Sequence, residues 1–300
     1  MWVNRMKTLR VSKWLKDKYP LLTQRQREEA IETGLVLGIP AKKFLKKGEK
    51  ISDDTNLNCE KLETHISKLK RGIPNEDIKV VSEKDGIVVI DKPSGIASQP
   101  ISLFDENTVT QWARFHYPSI NGDFPEPQPT LTPHRLDIGT SGVLIVALNQ
   151  DSYLYWREQF LKKRVRKTYL AWCWGKPKDN NYCVDYSIAH APGDAARMIA
   201  LKGNVRYRLP VLKALSNMRV VRRVEEKNVF LAEINCSTGV THQVRVHLTS
   251  LGFPILGDRL YDPLYEMRDL KREFHALRAV SLAVEDWYTA VDTEDFLEEN

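Results

Sequence analysis

A run of six apolar residues at 143–148, bounded by Gly142 and Asn149, is the clearest feature of the hydrophobic pattern. An apolar run of this length, with β-branched residues and turn formers at its ends, predicts a buried strand. Further strands are predicted at residues 35–37, 78–82, 87–91, 167–174 and 229–235. The many strand runs separated by loops predict a sheet-rich α+β domain, with a mixed, mainly antiparallel sheet flanked by helices around a central cleft.

Apolar residues at helical spacing predict several helices. One at residues 10–19 ends at Pro20, because proline cannot continue a helix. The next begins at Thr23, where Gln26 three residues later completes a capping-box pattern, and it stops at Gly34. The other predicted helices are a short one around Leu62, Ile66 and Leu69, one at residues 149–163, and one with Val244, Leu248 and Leu251 on its core face that Gly252 closes.

Three segments lack either pattern. Residues 117–133 contain five prolines, so we expect an extended surface loop there. Residues 187–208 are polar and basic, and we expect another loop, one that faces a polyanion such as RNA. Residues 292–300 are acidic, and we expect a disordered tail.

Positive charge is concentrated in the first 50 residues. They hold 13 lysines and arginines and 5 acidic residues, a net charge of +8, whereas the whole chain carries +6. This asymmetry favours a module that binds a polyanion such as RNA, with a solvated basic surface as the alternative. We therefore predict a basic RNA-binding module at 1–55, a linker at 56–77, a catalytic domain at 78–291 and the acidic tail at 292–300.

Other classes of protein are disfavoured by what the sequence lacks. It has no apolar run long enough to span a membrane and no apolar core of a signal peptide, so we expect a cytoplasmic protein. Its four cysteines have no Cys-x-x-Cys spacing, so we expect reduced thiols. The phosphate-binding loop and the dinucleotide fingerprint are also missing. We expect either an enzyme without cofactor or metal, or a plain RNA-binding protein.

Candidate chemistry lies just before the central apolar run. Charged groups beside a buried strand are costly unless they are paired. A hydrolase triad of His134, Asp137 and Ser141 is disfavoured, since three members in one loop are not expected to align. A metal site at His242 and His247 is disfavoured, because a spacing of five residues places them on different helix faces. Taken alone, Asp137 would more often be an ordinary turn residue than a catalytic one.

The string His134-Arg-Leu-Asp-Ile-Gly-Thr-Ser-Gly142 resembles the catalytic motif of the RluA-type pseudouridine synthases, which isomerise uridine within RNA. Lys167-x-Tyr169-x-Ala171 is similar to the second motif of that family. Residues 238–248, continuing to Tyr261, resemble the third motif, except that Val240 replaces the first arginine. His275-Ala-Leu-Arg278 resembles a late motif.

The basic N-terminal segment resembles a ribosomal S-four-type RNA-binding domain, which often precedes the catalytic domain in this family. The similar stretches are residues 10–15, 31–36 and 47–51. The short Val-Asn-Gly turn of that domain is absent, and residues 37–40 replace it.

The resemblance implies the pseudouridine synthase fold and three catalytic residues. Asp137 would be the essential carboxylate, and Arg245 would pair with it and keep it ionised. Tyr169 would stack against the target base and move a proton. Family members are thought to flip the uridine out of its stack, and His134 and Arg135 lie near enough in sequence to help. The other expected RNA contacts are Thr140, Lys167, His242, Gln243, Arg25, Arg27, Lys46 and Lys47.

We therefore expect an RNA pseudouridine synthase that acts as a monomer on specific uridines of structured RNA. Ribosomal RNA is the expected substrate, because S-four-type modules usually accompany ribosomal RNA modifiers, and transfer RNA is the next candidate. The alternative from another class is a non-catalytic RNA-binding or ribosome-assembly factor on the same fold. Val240 and the altered N-terminal turn leave room for that alternative.

Overall fold

The structure, a computed structural model, describes residues 8–20, 22–38, 43–52, 55–123, 131–194, 196–269 and 272–298. The chain divides into two compact units, which are described one by one. Unit 1 comprises Met1–Glu76, Ala97–Thr132 and Val146–Gln150, and unit 2 comprises Asp77–Ile96, Pro133–Ile145 and Asp151–Asn300. The predicted domain boundaries at residues 55, 77 and 291 stay predictions.

Unit 1 is built from short strands and helices. Its strands are β1 (Thr8–Arg10), β2 (Leu37–Gly38), β3 (Lys43–Phe44), β4 (Lys50–Ser52) and β5 (Leu57–Asn58). Its helices are α1 (Val11–Lys18), α2 (Gln24–Glu32), α3 (Glu60–Lys70), α4 (Val109–His116) and α5 (Ile120–Asp123). Antiparallel pairing joins β1 to β4, and β2 to both β3 and β5. The helices predicted in this region are confirmed as α1, α2 and α3, whereas the strand predicted at 35–37 overlaps β2 only at Leu37.

The start of α2 follows directly from the sequence. Thr23 Oγ1 accepts a hydrogen bond from the Gln26 amide at 3.2 Å, and Gln26 Oε1 accepts one from the Thr23 amide at 3.0 Å. This reciprocal capping box gives partners to two amides near the helix start. Apolar residues of the first three helices, including Leu15, Ile31 and Leu62, form the buried core of unit 1.

Unit 2 contains most of the strands. They are β6 (Lys79–Lys84), β7 (Ile87–Lys92), β8 (Ser141–Ala147), β9 (Arg166–Trp174), β10 (Asn181–Val184), β11 (Ile188–His190), β12 (Met198–Ala200), β13 (Arg208–Leu212), β14 (Ser216–Val224), β15 (Val229–Cys236), β16 (Leu277–Val284) and β17 (Trp287–Ala290). Its helices are α6 (Gln150–Leu161), α7 (Gln243–Ser250) and α8 (Glu294–Glu298). The last residues of β8 and the first of α6 are grouped with unit 1. None of the helices described in either unit is both long and apolar enough to cross a membrane.

A nine-stranded sheet has the order β10-β14-β15-β9-β16-β8-β7-β6, with β17 also paired to β16. β16 runs parallel to β8, whereas six other pairs in this sheet are antiparallel. The predicted α+β class with a mixed, mainly antiparallel sheet is therefore confirmed. A separate antiparallel sheet is formed by β11 with β12 on one side and β13 on the other.

The close approach of β8 to β16 depends on Gly142. Its φ is +112°, and a Cβ at this position would lie 2.0 Å from the carbonyl oxygen of Ala279. Only glycine has both the conformational freedom and the space that this position requires. Gly142 thus sets the course of the chain directly after the polar segment at residues 134–141.

The extended loop predicted at residues 117–133 is wrong in part. Ile120–Asp123 forms the short helix α5, and Ile120 is fully buried in unit 1. The five prolines of this segment do not prevent the helix, because none of them is among its four residues. Residues 124–130 of the segment lie outside the described residues.

The loop predicted at residues 187–208 is also wrong, since the segment contains β11 and β12 and the start of β13. Its charged residues concealed a weaker apolar signal. Ile188 and Met198 are buried and pack against Val246 and Tyr261. This burial turns a polar stretch of sequence into a small sheet.

The prediction of a disordered acidic tail is wrong for residues 294–298, which form α8. Phe296 and Leu297 pack against the core of unit 2, and the Trp172 indole Nε1 donates to the Phe296 carbonyl at 3.0 Å. The Arg222 guanidinium lies 4.8 Å from the centroid of the Trp172 ring and donates to the Leu297 carbonyl. Two apolar side chains and two hydrogen bonds to the helix backbone thus dock the acidic segment.

Replacing Phe296 with alanine should lower the free energy of unfolding by about 1–2 kcal/mol, because half-buried aromatic surface leaves the core. Denaturant unfolding of the full chain measures this. Glu298→Ala, an exposed change on the same helix, should stay within about 0.5 kcal/mol of the original chain. Equal effects of the two changes would contradict the docking of α8.

Candidate active site

Asp137 lies in the turn that leads into β8. Its backbone carbonyl accepts a hydrogen bond from the Thr140 amide at 3.0 Å, while its side chain is 27% exposed. The next residue, Ile138, is held from a second segment, because its carbonyl accepts bonds from the Gly95 amide at 2.9 Å and from Lys92 Nζ at 3.2 Å. The turn is thus anchored, and the carboxylate remains open to solvent.

Lys92 is fully buried next to this turn. Its Nζ also donates to the carbonyls of Pro93 at 2.9 Å and Ile96 at 2.7 Å. Burial lowers the pKa of Lys92 to about 7, although the charges of Asp137 and Asp91 oppose the shift. Lys92 therefore bonds to the backbone beside Asp137 and not to the carboxylate itself.

A single guanidinium links Asp137 to a second carboxylate. Arg245 Nη1 donates to Asp137 Oδ2 at 3.1 Å, while Nε and Nη2 donate to the two oxygens of Asp258 at 2.8 Å each. The side chain of Arg245 is 9% exposed and that of Asp258 is 0% exposed. The bidentate pair fixes the plane of the guanidinium and directs its remaining nitrogen toward Asp137.

The protonation states of this pair follow from its geometry. Burial alone would lower the pKa of Arg245, but the hydrogen bonds and charges of Asp258 and Asp137 outweigh burial and raise it. Burial alone would raise the pKa of Asp258, but the hydrogen bond and charge of Arg245 lower it below its ordinary value of 3.8. The pair is therefore ionised at neutral pH.

Tyr261 and His242 complete this side of the site. The Arg245 guanidinium lies 4.9 Å from the centroid of the Tyr261 ring, and the Tyr261 hydroxyl accepts a hydrogen bond from the Met198 amide at 2.9 Å. The same hydroxyl is 2.7 Å from His242 Nδ1, and His242 Nε2 is 3.9 Å from Asp137 Oδ2. Burial lowers the pKa of His242, so the ring is mostly neutral at pH 7. When Tyr261 donates to Nδ1, the ring proton lies on Nε2 and faces Asp137.

Tyr169 and Lys167 approach from β9, where they lie on the same face of the strand. Burial raises the pKa of Tyr169 well above its ordinary value, and the charges of Cys236 and Asp137 raise it further. The phenol therefore stays protonated at neutral pH. Lys167 is buried, its Nζ donates to the Thr238 carbonyl at 2.5 Å, and burial lowers its pKa.

His134 does not join the Asp137 carboxylate. Its ring stacks on Phe160 with the centroids 4.3 Å apart, and its Nε2 accepts a hydrogen bond from the Ile145 amide at 3.0 Å. Burial lowers the pKa of His134 to about 3, so the ring is neutral. Arg135, next along the chain, is exposed.

Thr140 and Gln243 face the protein interior. Thr140 Oγ1 lies 2.8 Å from His275 Nε2. Gln243 Nε2 donates to the Leu215 carbonyl at 2.9 Å and to Ser216 Oγ at 3.0 Å. The structure therefore brings His242 and Arg245 to Asp137, whereas Thr140 and Gln243 contact other parts of unit 2.

The four predicted N-terminal contacts all lie in unit 1. Arg25 and Lys46 are exposed. Lys47 Nζ lies 2.7 Å from Glu28 and 3.9 Å from Glu32, so acidic residues already neutralise it. Arg27 donates through Nη1 to the Leu22 carbonyl. Arg25 and Lys46 thus remain the most available of these cations.

Reasoning from the sequence missed three residues of the site. Asp258 and Tyr261 stand in the Gly257-Asp-x-x-Tyr261 string, which resembled the family without suggesting a role for either residue. His275, in the late motif, is buried against the turn after Asp137, and burial lowers its pKa to about 4. The only signal in the sequence for Asp258 was its place in this string, directly before Arg259.

The site presents an anchored, half-buried carboxylate beside a cation, a neutral imidazole and a protonated phenol. Such a carboxylate can act as a nucleophile or as a base. Over the described ranges, no cluster of three or more His, Cys, Asp or Glu side chains is arranged to hold a metal ion.

Comparison with known proteins identifies the family. The sequence model of the family described as RNA pseudouridylate synthase matches residues 86–250, more than half of the chain. The chain belongs to the RNA pseudouridine synthase family. The expected family and enzyme class are thereby confirmed for this synthase.

Two curated relatives and one solved structure illustrate the similarity. The synthase is 31% identical to a ribosomal large subunit pseudouridine synthase C of Rickettsia felis, over 86% of this chain and 83% of the relative. It is 27% identical to an RNA pseudouridine synthase of Aquifex aeolicus, over 84% and 76%. The human RNA pseudouridylate synthase domain containing 1 has a TM-score of 0.60 and 23% identity, over 74% of this chain and 86% of that one. The last comparison confirms the predicted pseudouridine synthase fold.

Replacing Asp258 with asparagine should reduce pseudouridine formation at least tenfold and lower the free energy of unfolding by about 3 kcal/mol, because Arg245 loses its buried partner. Since the pKa of Asp258 is lowered in the folded state, the ion pair stabilises the fold above the ordinary value of 3.8 and is lost as the pH falls through the folded value. The difference in stability between the two proteins should therefore be constant from about pH 7 to about pH 5 and shrink below about pH 4.

Asp262→Asn is the matched control for this experiment. Asp262 is also buried and binds an arginine, Arg268, at 3.0 and 3.3 Å. We expect this change to lower stability but not activity. Comparable losses of activity in both variants would show that Asp258 acts only through the stability of the fold.

Proposed function

We propose that this synthase converts specific uridines of ribosomal RNA to pseudouridine, with Asp137 as the catalytic carboxylate. The observation that carries the proposal is the 3.1 Å contact between Arg245 Nη1 and Asp137 Oδ2, made by a guanidinium that Asp258 holds in place. The guanidinium orients the carboxylate oxygens and offsets part of the cost of placing their charge beside the protein interior. A carboxylate held in this way can act as a nucleophile or as a base.

The chemistry requires no outside reactant. The bond between C1′ and N1 breaks, the base turns while it is held, and C5 bonds to C1′. C5 loses its proton and N1 ends with one, so the reaction is balanced. Asp137 can attack the base, attack the sugar carbon or promote elimination through a glycal, and all three routes use the same ionised group.

We place the target base against Tyr169. Its half-buried ring offers a stacking surface, and its raised pKa keeps a proton available near Asp137. The exposed side chain of Arg135 is the proposed occupant of the space that the flipped uridine leaves. Arg245 acts on the reaction through Asp137 and is a positioning residue in this proposal.

Ribosomal RNA is the proposed substrate because the relative from Rickettsia felis is named a ribosomal large subunit pseudouridine synthase and aligns over most of both chains. The excess of cations in residues 1–50 also favours a polyanion. A ribosomal substrate supports the proposal that the synthase acts in the cytoplasm. We propose that it acts as a monomer.

Replacing Asp137 with alanine should abolish pseudouridine formation without loss of RNA affinity, because the carboxylate is needed for chemistry and not for phosphate binding. Carbodiimide adducts and primer extension would map pseudouridine in ribosomal and transfer RNA. The strains compared are the original, a deletion strain and the deletion strain complemented with Asp137→Ala.

Asp286→Ala is the control, since Asp286 is exposed in the turn between β16 and β17. A gene that carries Asp286→Ala should restore every primer-extension stop that is lost in the deletion strain. Stops restored by Asp137→Ala would contradict the assigned role of this carboxylate and favour a non-catalytic function for it. If the deletion removes stops from transfer RNA alone, transfer RNA replaces ribosomal RNA as the proposed substrate.

Replacing both Arg25 and Lys46 with glutamine should weaken RNA binding, because each exposed cation can contact one phosphate. The slope of log K against log salt concentration should become shallower by about 1.4–1.8 in total. Filter binding at several salt concentrations measures both quantities on the full chain.

Lys47→Gln is the matched change in the same module. Glu28 already binds Lys47 at 2.7 Å, so the loss of this cation should alter the salt slope less. An unchanged slope in the double variant would contradict the proposed RNA contact of the N-terminal module.

A further inference from the structure

A buried nitrogen near the proposed active site has no hydrogen-bond partner in the described part of the chain. His190 lies at the end of β11, and its Nδ1 is shielded from solvent without a bond. Leaving such an atom unpaired costs about 1–3 kcal/mol. Unsatisfied polar atoms are rare in folded proteins and often mark a place where a ligand binds.

The pairing of β11 with β12 places His190 beside Tyr261. His190 is the register partner of Met198, and the Met198 amide donates to the Tyr261 hydroxyl at 2.9 Å. The same hydroxyl lies 2.7 Å from His242 Nδ1. His190 is therefore one strand away from the hydrogen bonds that lead to Asp137.

His190 is half-buried, and its side chain lies on the face of the small sheet that is turned toward Tyr261. Residues two apart on a strand share a face, and Ile188 and Met198 on this face pack against Val246 and Tyr261. The nearness of His190 to His242 also appears in the electrostatics. Burial is the main cause of the lowered pKa of His242, and charge on His190 lowers that pKa further.

Arg197, the residue directly before β12, brings a cation to the ring of Tyr261. The Arg197 guanidinium is 6.0 Å from the centroid of the Tyr261 ring. The Arg197 side chain is exposed and forms no ion pair with a carboxylate among the described residues. It can therefore bind an anion without breaking an existing pair.

The small sheet is strongly basic as a whole. Between residues 186 and 215 the only acidic residue is Asp194. The five lysines and arginines of this stretch are Arg197, Lys202, Arg206, Arg208 and Lys213. A surface with this excess of positive charge attracts a polyanion. Asp194 Oδ1 accepts hydrogen bonds from the amides of Ala196 and Arg197, at 2.8 and 3.3 Å, and so shapes the turn before β12.

We propose that His190 and Arg197 form a phosphate-binding subsite that holds the RNA backbone next to the target uridine. The inference rests on the proposed function, since it assumes that RNA reaches Asp137. The Nδ1–H tautomer of histidine and a guanidinium both donate hydrogen bonds, which matches the oxygens of a phosphate. His190 and Arg197 bind and position the RNA backbone and take no part in the chemical step.

The test compares His190→Leu and Arg197→Gln with the original chain. The probe is RNA from a strain that lacks the protein, grown with uridine tritiated at C5, so that isomerisation releases tritium. Filter binding on the same RNA gives Kd and its salt dependence. We expect Kd and KM to rise about tenfold in each variant with kcat changed less than twofold. We expect Arg197→Gln also to make the salt slope shallower by about 0.7–0.9.

His190→Asn separates a phosphate contact from a packing role. The amide nitrogen of asparagine lies close to the position of Nδ1 and can donate the same bond. Asparagine should therefore recover most of the affinity that leucine loses. A packing role predicts the reverse order, because leucine fills the apolar site better, and the thermal midpoint would fall more for asparagine.

Arg219→Gln is the control for the loss of a positive charge. Arg219 is exposed on β14, pairs with Glu233 at 3.0 Å, and by register lies on the sheet face opposite to Tyr169. It should leave the salt slope unchanged. A loss of affinity in Arg219→Gln equal to that in Arg197→Gln would overturn the subsite.

An unchanged Kd and salt slope in both His190→Leu and Arg197→Gln would also overturn the subsite, even if tritium is released normally. The proposed function fails by a different result, namely that the original chain binds the RNA but releases no tritium. The two failures are therefore distinguishable in one set of measurements.

Discussion

The guanidinium of Arg245, shared by two carboxylates, is the contact on which the candidate site depends. Three ionised groups near the protein interior are tolerated only when each has well-placed partners. Asp258 supplies two bonds to the guanidinium, and its Oδ1 accepts further bonds from the amides of Leu260 and Tyr261. The backbone therefore holds Asp258, Asp258 holds Arg245, and Arg245 holds Asp137. The only member of this series that is substantially open to solvent is Asp137, the proposed catalytic group.

The turn that carries Asp137 is restrained from other directions as well. Lys92 bonds the neighbouring carbonyl, His275 contacts Thr140, and Gly142 allows the next strand to approach β16 closely. None of these contacts involves the Asp137 carboxylate. They set where the turn lies, whereas Arg245 bonds to the carboxylate and orients it. Position and electrostatics are thus supplied by different parts of unit 2, as preorganised sites generally require.

Local signals in the sequence predicted most of the regular elements. The capping box at Thr23, the hairpin of β6 and β7, and the helix with Tyr153 and Trp156 are all present. The resemblance also anticipated that Arg245 pairs with Asp137, and the two are in contact, while their catalytic roles stay predictions. These successes share a cause, because each depends on residues close in sequence or on a contiguous motif.

What the sequence did not reveal depends on contacts between distant segments. Asp258 appeared as one acid among many, since nothing in its neighbourhood predicts that Arg245 folds against it. The resemblance suggested that His134 contacts the RNA. Its ring instead stacks on Phe160 of α6, which lies 26 residues later in the chain. The small sheet of β11 and β12 and the helix α8 form only because a few apolar side chains find a surface in unit 2. Charge patterns alone suggested a loop at the first place and a disordered tail at the second.

The position of β16 has a consequence for biosynthesis. In the large sheet β16 lies between β9 and β8, although it is made long after both of them. Until residues 277–284 have been synthesised, β8 and β9 lack β16, the strand that lies between them in the sheet. A nascent chain can therefore assemble its parts in order but cannot close the sheet around Asp137. Completion of the candidate active centre therefore waits for residues 277–284, which are synthesised long after the turn that carries Asp137.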